Sequence, residues 1–253
     1  MSTVAANLAK KMASSRSTIV FTGAGMSTES GLPDFRSSKG LWGQYSPEEL
    51  ASTEALNRNF ENFAAFYGER VKALGGIEPN RGHRILADWE RRGLVQAIVT
   101  QNVDGLHQAV GSRAVYELHG TLREVRCQSC SSVFPAEGYE SRARCGSCGG
   151  KLRPAVVLFG EMLPERTLSE SIDLASTCEL FIVLGSSLLV SPANMLPERA
   201  KRNGGALYIV NNTETPLDGM ADGVIHTSIG EVLAEVDGLL AEEGHPATGT
   251  PKG

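Results

Sequence analysis

The sequence has no basic excess. Its 253 residues carry 24 Lys and Arg against 29 Asp and Glu, a formal charge of -5. That leaves no positive surplus to displace counterions from a phosphate backbone, which argues against nucleic acid as a partner. A cationic peptide suits it better. No apolar run reaches the length of a membrane span, and the N-terminal stretch MSTVAANLAKKMASSRS lacks the apolar centre of a secretory signal. The expectation is an intracellular, cytoplasmic protein without a membrane partner. Cysteine is scarce at five residues, yet four of them fall in two close pairs, and in a reducing compartment such pairs favour a metal over disulfides. With 41% apolar and 21% charged residues, the composition is otherwise that of a globular protein with a large core.

The chain is organised around residues 17–36, STIVFTGAGMSTESGLPDFR. Thr18 to Thr22 is a short, β-branched apolar run that reads as a buried strand feeding Gly23-Ala24-Gly25. Glycines there let the backbone turn tightly and come close to a ligand, and amides at the following helix start can face a pyrophosphate. The third glycine of a G-x-G-x-x-G dinucleotide motif is missing, because Thr28 stands in its place. No acidic residue occupies the usual position for an adenosine ribose either, and the next glycine, Gly31, is followed by Pro33-Asp34-Phe35-Arg36. These departures exclude an ordinary hydride-transferring dehydrogenase.

Along the rest of the chain, near-continuous apolar runs alternate with helical patterns. Residues 4–15 read as a helix, and 37–92 as mostly helical, with Phe60, Phe63, Tyr67, Val71 and Leu74 on one stripe that ends at Gly75-Gly76. Pro79-Asn80 opens a further helix through Trp89. Strands are expected at 94–100, 114–118, 180–184 and 206–210, with an apolar run at 156–159 and an edge strand at 224–227, and helices at 164–176 and 192–202. The pattern is that of an α/β protein with a parallel sheet covered by helices on both faces. In such sheets ligands bind beyond the carboxyl ends of the strands, where Gly23, Gln101, His119, Gly185 and Asn211 all fall. The tail EEGHPATGTPKG reads as disordered.

Between Arg123 and Arg153 the composition turns polar and glycine-rich. Cys127-x-x-Cys130 and Cys145-x-x-Cys148, with fourteen residues between the pairs, have the spacing of a four-thiolate zinc ribbon. The segment offers little for a core of its own, so the metal is expected to hold it. Four thiolates leave no open coordination position, which makes such a zinc structural. Cys178, alone before an apolar strand, reads as a core residue.

GAGMSTESGLPDFR resembles the signature of the sirtuin (Sir2) family, the NAD-dependent protein-lysine deacylases. Four more matches follow in order: Thr100 to His107 (TQNVDGLH), Leu118-His119-Gly120, the two cysteine pairs, and Gly185-Ser186-Ser187. Together they cover residues 17 to 230. The resemblance implies a Rossmann-like NAD-binding domain over 1–121 and 155–240, with 37–92 as a helical module lining the acyl pocket. It also implies a zinc-ribbon module at 122–154 and a disordered tail at 241–253. NAD would be a co-substrate beside one structural zinc. In the implied reaction the acyl-lysine carbonyl oxygen attacks C1' of the nicotinamide ribose and expels nicotinamide. His119, the general base, then takes a proton from the ribose hydroxyls so that the 2'-oxygen can attack, and free lysine and O-acyl-ADP-ribose result.

Carried over residue by residue, Asn102 serves the ribose and catalysis, Gln101 a ribose hydroxyl, and Asp104 the nicotinamide carboxamide. Phe35 shields the reactive ribose and Arg36 contacts phosphate. Gly23, Ala24, Gly25, Ser27, Asp34, Trp42, Gly185, Ser186, Ser187, Asn211, Asn212, Thr213 and Ile229 complete the expected NAD contacts. Val157, Phe159, Gly160 and Val190 belong to the two strand edges between which a substrate peptide is added as a middle strand. Tyr67 and Arg70, three apart on a helix, can present a hydroxyl and a guanidinium to one point, and they resemble the Tyr-x-x-Arg pair of sirtuins that prefer succinyl- or malonyl-lysine. The chain departs from that group at Thr28 and Asp34, where Ala and Thr are usual. A mono-ADP-ribosyltransferase would use the same NAD site with another nucleophile, and a zinc-ribbon nucleic-acid module on an NAD sensor is the non-enzymatic alternative.

Overall fold

The computed structural model describes residues 3–35, 40 and 46–244. The chain begins with α1 (Thr3–Ser14) and β1 (Thr18–Thr22), then a 3-10 turn over Ala24–Ser30. There follow α2 (Pro47–Leu50), α3 (Thr53–Arg58), α4 (Phe60–Leu74), α5 (Arg81–Arg91), β2 (Ala97–Thr100), α6 (Leu106–Ala109) and β3 (Val115–Glu117). Next come β4 (Gly120–Cys127), β5 (Val133–Pro135) and β6 (Leu152–Val156). The chain closes with α7 (Glu165–Thr177), β7 (Leu180–Leu184), α8 (Met195–Arg202), β8 (Ala206–Val210), β9 (Gly223–Ile225) and α9 (Ile229–Glu242).

Six strands form one sheet in the order β3-β2-β1-β7-β8-β9, and every pairing in it is parallel. Every residue of β1, β2 and β7 is buried, which is why these strands read as unbroken apolar runs instead of alternating ones. On one face Leu8, Met12, Leu86, Trp89 and Leu233 from α1, α5 and α9 pack on Val20, Ile98 and Ile182. On the other, Ala175, Leu196 and Ala200 from α7 and α8 pack on Phe21, Val99, Phe181 and Ile209. The sheet is therefore a rigid platform whose carboxyl ends all point the same way.

A second, three-stranded antiparallel sheet runs in the order β5-β4-β6. The cysteine-bearing segment has more apolar material than its composition promised, because it shares a core with the helices. Leu122, Val125, Tyr139 and Leu152 bury with Phe63, Phe66 and Tyr67 of α4, and Tyr139 donates to the Leu152 carbonyl at 3.0 Å. Its neighbours, as much as any metal, give it a shape.

Several boundaries differ from the sequence reading, among them α8 and β9, which were expected at 192–202 and 224–227. Leu94 and Val95 are buried but precede the strand, which begins at Ala97. The apolar run at 156–159 is the end of β6 and a turn beyond it. Helix α9 went unread and extends through Glu242, two residues into the stretch taken as tail. Its signals are a Ser228 cap accepting from the Glu231 amide and the spacing of Val232, Leu233, Val236 and Leu240, all buried. Residues 245–253, and with them the rest of the expected tail, lie outside the described residues. No described helix is long and apolar enough to cross a membrane.

Candidate active site

A cleft of about 640 Å³ opens at the carboxyl ends of the parallel strands. Its floor is made where two glycine turns meet. Gly23 follows β1 and donates to the Leu184 carbonyl at 3.0 Å, Gly25 donates to the Gly185 carbonyl at 2.9 Å, and Gly185 donates to Val210 at 2.9 Å. Gly185 has φ +65, and a Cβ there would fall 2.5 Å from the Met26 amide nitrogen, so only glycine fits this crossing. Gly23, Ala24, Gly25, Gly185, Ser186 and Ser187 all line the cleft. Its far wall holds Asn211, Asn212 and Thr213. The Asn211 side chain donates to the Thr213 carbonyl at 2.7 Å, and its own carbonyl accepts from His226 Nδ1 at 2.8 Å.

The polar residues after β2 are tied to the glycine turn. Gln101 Nε2 donates to Ser186 Oγ at 2.7 Å. Asn102 is buried and its Nδ2 donates to the Gly23 carbonyl at 3.0 Å and to Ser27 Oγ at 3.1 Å. Ser27 Oγ donates to Asp104 Oδ2 at 2.7 Å, while Asp104 Oδ1 accepts from the Leu106 amide at 2.9 Å. Burial lifts the Asp104 pKa above the usual carboxylate range, against those hydrogen bonds and the charge of Arg123. Ser27 and Asp104 line a smaller adjoining cavity of about 300 Å³. It shares Ala24, Phe35, Arg70, Asn102 and Val103 with the main cleft.

His119 sits on the cleft wall with Nδ1 3.0 Å from the Gln101 carbonyl oxygen. A carbonyl can only accept, so Nδ1 carries the proton and Nε2 keeps its lone pair. Burial pushes the His119 pKa below the ordinary 6.5, with the bond to Gln101 opposing it, which leaves the ring neutral and basic near pH 7.

Asp34 and Phe35 line the cleft, as do Val157, Phe159, Gly160 and Val190. The amides of Val157 and Phe159 donate to the carbonyls of His119 and Ala51 at 2.8 and 2.9 Å. Among the described residues, the Val157 carbonyl and the Gly160 amide have no hydrogen-bond partner, which leaves an open edge for an added strand. Below that edge, fully buried Arg153 makes a two-pronged bond to Glu161 (Nη1–Oε1 2.6 Å, Nη2–Oε2 2.8 Å), and Glu161 Oε2 accepts from the Leu158 amide at 2.9 Å.

Tyr67 and Arg70 both line the cleft, as the three-residue spacing requires. Burial pushes the Tyr67 phenol up to about 12 despite the nearby Arg70 and Arg153 charges, so it is a neutral hydroxyl. The Arg70 guanidinium lies 5.4, 5.6 and 5.8 Å from the ring centroids of Phe35, Phe66 and Tyr67. No described carboxylate forms a salt bridge with it. Burial disfavours its charge, and Tyr67 and Asp104 only partly oppose that.

Two expected contacts, Arg36 and Trp42, lie outside the described residues. Ile229 is buried in the core cluster that includes α1 and α5 residues and is not among the residues lining the cleft. The sequence reading missed the Arg153–Glu161 pair, whose signal was an arginine entering an apolar run eight residues before a glutamate. It also missed a buried polar cluster behind the glycine turn. There Thr22 Oγ1 donates to Thr100 Oγ1 at 2.7 Å and sits 3.1 Å from His107 Nε2, and the His107 ring lies 4.8 Å from that of His83.

Away from the cleft, the four Sγ atoms of Cys127, Cys130, Cys145 and Cys148 lie within 4.8 Å of one another. The Cys127–Cys148 and Cys130–Cys145 separations are 3.5 and 3.8 Å. Sulfurs bound tetrahedrally at the usual zinc distance stand about 3.8 Å apart. The donor set and its spacing fit a structural zinc held by all four thiolates.

A sequence model described as the Sir2 family matches residues 23–192. The chain belongs to the Sir2 family. Among the relatives of this Sir2 chain, "NAD-dependent protein deacetylase 1" of Geobacillus kaustophilus is 57% identical over 233 residues, covering 91% of this chain and 96% of that protein. The "NAD-dependent protein deacetylase" of Saccharolobus solfataricus is 45% identical over 228 residues, covering 88% and 91%. Among solved structures, a Sir2 homolog–NAD complex is 40% identical with a TM-score of 0.87, covering 94% of each chain. A Sir2 protein with a deacetylated p53 peptide and 3'-O-acetyl ADP-ribose is 38% identical with a TM-score of 0.89, covering 95% of this chain and 98% of that one.

Proposed function

We infer that this Sir2 chain is an NAD-dependent protein-lysine deacylase, and we propose that its acyl pocket accepts succinyl and malonyl groups as well as acetyl. The relatives' activity and the complexes with NAD and with peptide support the first statement. In this reading Gly23 to Gly25 and Gly185 to Ser187 cradle NAD, with Asn211 to Thr213 at the far end of the cleft. NAD supplies an electrophilic sugar carbon as nicotinamide departs. Asn102, held by Gly23 and Ser27, and Gln101, held by Ser186, fix the ribose. Asp104 takes the carboxamide. His119 removes the hydroxyl proton with Nε2, its Nδ1 being committed to Gln101. The peptide enters as a strand between the edges at 157–160 and 188–190, and its lysine carries the acyl group toward Tyr67. The zinc has no open position for chemistry and serves the fold.

One observation carries the acidic-acyl proposal. Arg70 is a cation on the cleft wall with three aromatic rings within 5.8 Å and no described carboxylate bridging it. An acyl chain ending in a carboxylate would supply that anion, with the neutral Tyr67 hydroxyl as a second donor, whereas an acetyl methyl offers neither group a bond. Arg70→Met is expected to lower kcat/KM on a succinyl-lysine peptide tenfold or more, in line with about 1.5–3 kcal/mol for a charge-assisted bond, and to spare acetyl-lysine. The measurement is loss of the acyl group from matched peptides by mass with and without NAD, with nicotinamide release followed in the arm that contains NAD. Equal losses on both substrates would sink the acidic-acyl reading, and NAD-independent cleavage would sink the deacylase itself.

A further inference from the structure

Arg123 belongs to β4, in the small sheet that carries the cysteines, yet its side chain reaches the polar loop after β2. A Cβ placed on Gly105 would fall 2.6 Å from Arg123 Cδ and 2.7 Å from Nε, so the arginine stem lies against the backbone of the residue that follows Asp104. Gly105 has φ +77 and no side chain to hold the stem off. The guanidinium is fixed from its other side. Nη2 donates to both carboxylate oxygens of Glu117 at 3.0 Å, and Nε donates to Thr121 Oγ1 at 3.0 Å. Next to Arg123, the Leu122 amide donates to the Val103 carbonyl at 2.8 Å. Leu122, Val103 and Asp104 then share the wall of the 300 Å³ cavity.

Two carboxyls share this one cation. Burial raises the pKa of both Asp104 and Glu117, the charge of Arg123 works against it at each, and Asp104 raises Glu117 further. From α4, Arg70 also faces Asp104, with its own charge disfavoured by burial, and exposed Glu69 lines the same cavity. Asp104 already accepts from Ser27 and from the Leu106 amide. A carboxylate has lone pairs left for a carboxamide N–H, whereas a protonated carboxyl gives one of its oxygens over to a proton. We propose that Arg123 is a positioning residue for the nicotinamide end of NAD: lodged between Glu117 and the Gly105 backbone, it braces the Asp104 turn and supplies its counter-charge. The cysteine-bearing segment thereby takes part in gripping the cofactor, through a side chain that never touches it. The inference rests on the reading of Asp104 as the partner of the carboxamide.

The test is calorimetric binding of NAD, and of ADP-ribose, which lacks the nicotinamide ring, to the zinc-loaded full chain between about pH 6 and 8. Arg123→Gln keeps a stem over Gly105 and removes the charge. It is expected to weaken NAD about fivefold near pH 7, the scale of one partly exposed charge pair. ADP-ribose should weaken by less than about twofold, which also shows that the variant is folded. As pH falls, NAD affinity is expected to drop at a higher pH in Arg123→Gln than in the wild-type chain, because a carboxyl without its cation takes up a proton sooner. Arg123→Lys, which keeps the charge, should restore that profile. Equal weakening of NAD and ADP-ribose, or a drop at the same pH in Arg123→Gln and wild type, makes Arg123 a brace of the fold and overturns the inference. So does an unchanged NAD affinity. Asp104→Asn separates this inference from the reading beneath it. A lost discrimination between NAD and ADP-ribose there, beside an unchanged one in Arg123→Gln, overturns only the role of Arg123. An unchanged discrimination in Asp104→Asn removes the carboxamide reading and this inference with it.

Discussion

Replacing Glu161 with glutamine separates what a buried ion pair does for stability from what it does for the substrate edge. Arg153 is only 1% exposed and gives two nitrogens to Glu161, a third to the Pro154 carbonyl at 3.3 Å, and a further bond to the Val156 carbonyl. Burial alone would raise the Glu161 pKa, but bonds from Arg153 and Leu158, with the charges of Arg153 and Arg126, hold it below the usual carboxylate value. Glu161→Gln keeps an acceptor for the Leu158 amide and leaves the guanidinium buried without its counter-charge. Removing one partner of a buried pair costs about 3–5 kcal/mol. The retained acceptor and the partial exposure of Glu161 put this case nearer about 2–4. For a chain of this size each kcal/mol moves the melting temperature about 2–4 °C, so a fall of roughly 4–16 °C is expected.

The same substitution frees the turn that presents the Val157 carbonyl and the Gly160 amide. The KM for an acyl-lysine peptide is expected to rise about tenfold, the equivalent of ~1.4 kcal/mol of lost edge geometry, while the KM for NAD stays within about twofold. Arg153→Lys, which keeps the charge and loses the planar fork, should fall between the two. Thermal unfolding and two-substrate initial-rate kinetics together decide the matter. A lowered melting temperature with an unchanged peptide KM would show that the pair only braces the fold and would refute the link to substrate.

Stripping the metal with a chelator under reducing conditions is expected to lower the melting temperature and loosen α4, because the cysteine segment and that helix share one core; hydrogen exchange at α4 amides reads this directly, and unchanged protection would refute it. The His83–His107 pair predicts acid lability. Burial holds the folded pKa values at about 4 and about 3, below the ordinary 6.5, so the unfolded chain takes up protons first as pH falls. This stabilisation is complete above pH 6.5 and drains away toward pH 4. At pH 5 the loss for the pair is on the order of 4 kcal/mol, with the raised carboxyls of Asp104 and Glu117 working in the opposite direction. His107→Gln should flatten the dependence of denaturation midpoint on pH between 6.5 and 5, and an unaltered slope would count against the pair.

Much of the platform was legible because strands buried on both faces leave unbroken apolar runs. The bounds of β1, β7 and β8 were read as they stand, and the helices α1 and α7 to within a residue. The cleft residues were legible because short polar and glycine-rich signatures sit at strand ends. Helix α9 was not, since Gly230, Asp237 and Gly238 dilute its apolar stripe and its burial depends on α1 and α5, far away in sequence. The second core was hidden too. Nothing local in Tyr139 or Leu152 announces Phe63 as a partner.

At the floor of the cleft, the crossing of Gly25 and Gly185 has no side chain between the two turns. A methyl on Gly25 would meet the Gly185 Cα at 2.7 Å, and one on Gly185 would meet the Gly25 Cα at the same distance. Neither position can accept a substitution that the other could relieve, because each is already at its smallest. The spacing of the two loops is thus a fixed gauge, set by bare backbone and immune to rotamer changes. Tuning of nucleotide affinity over the history of such a chain has to come from the walls.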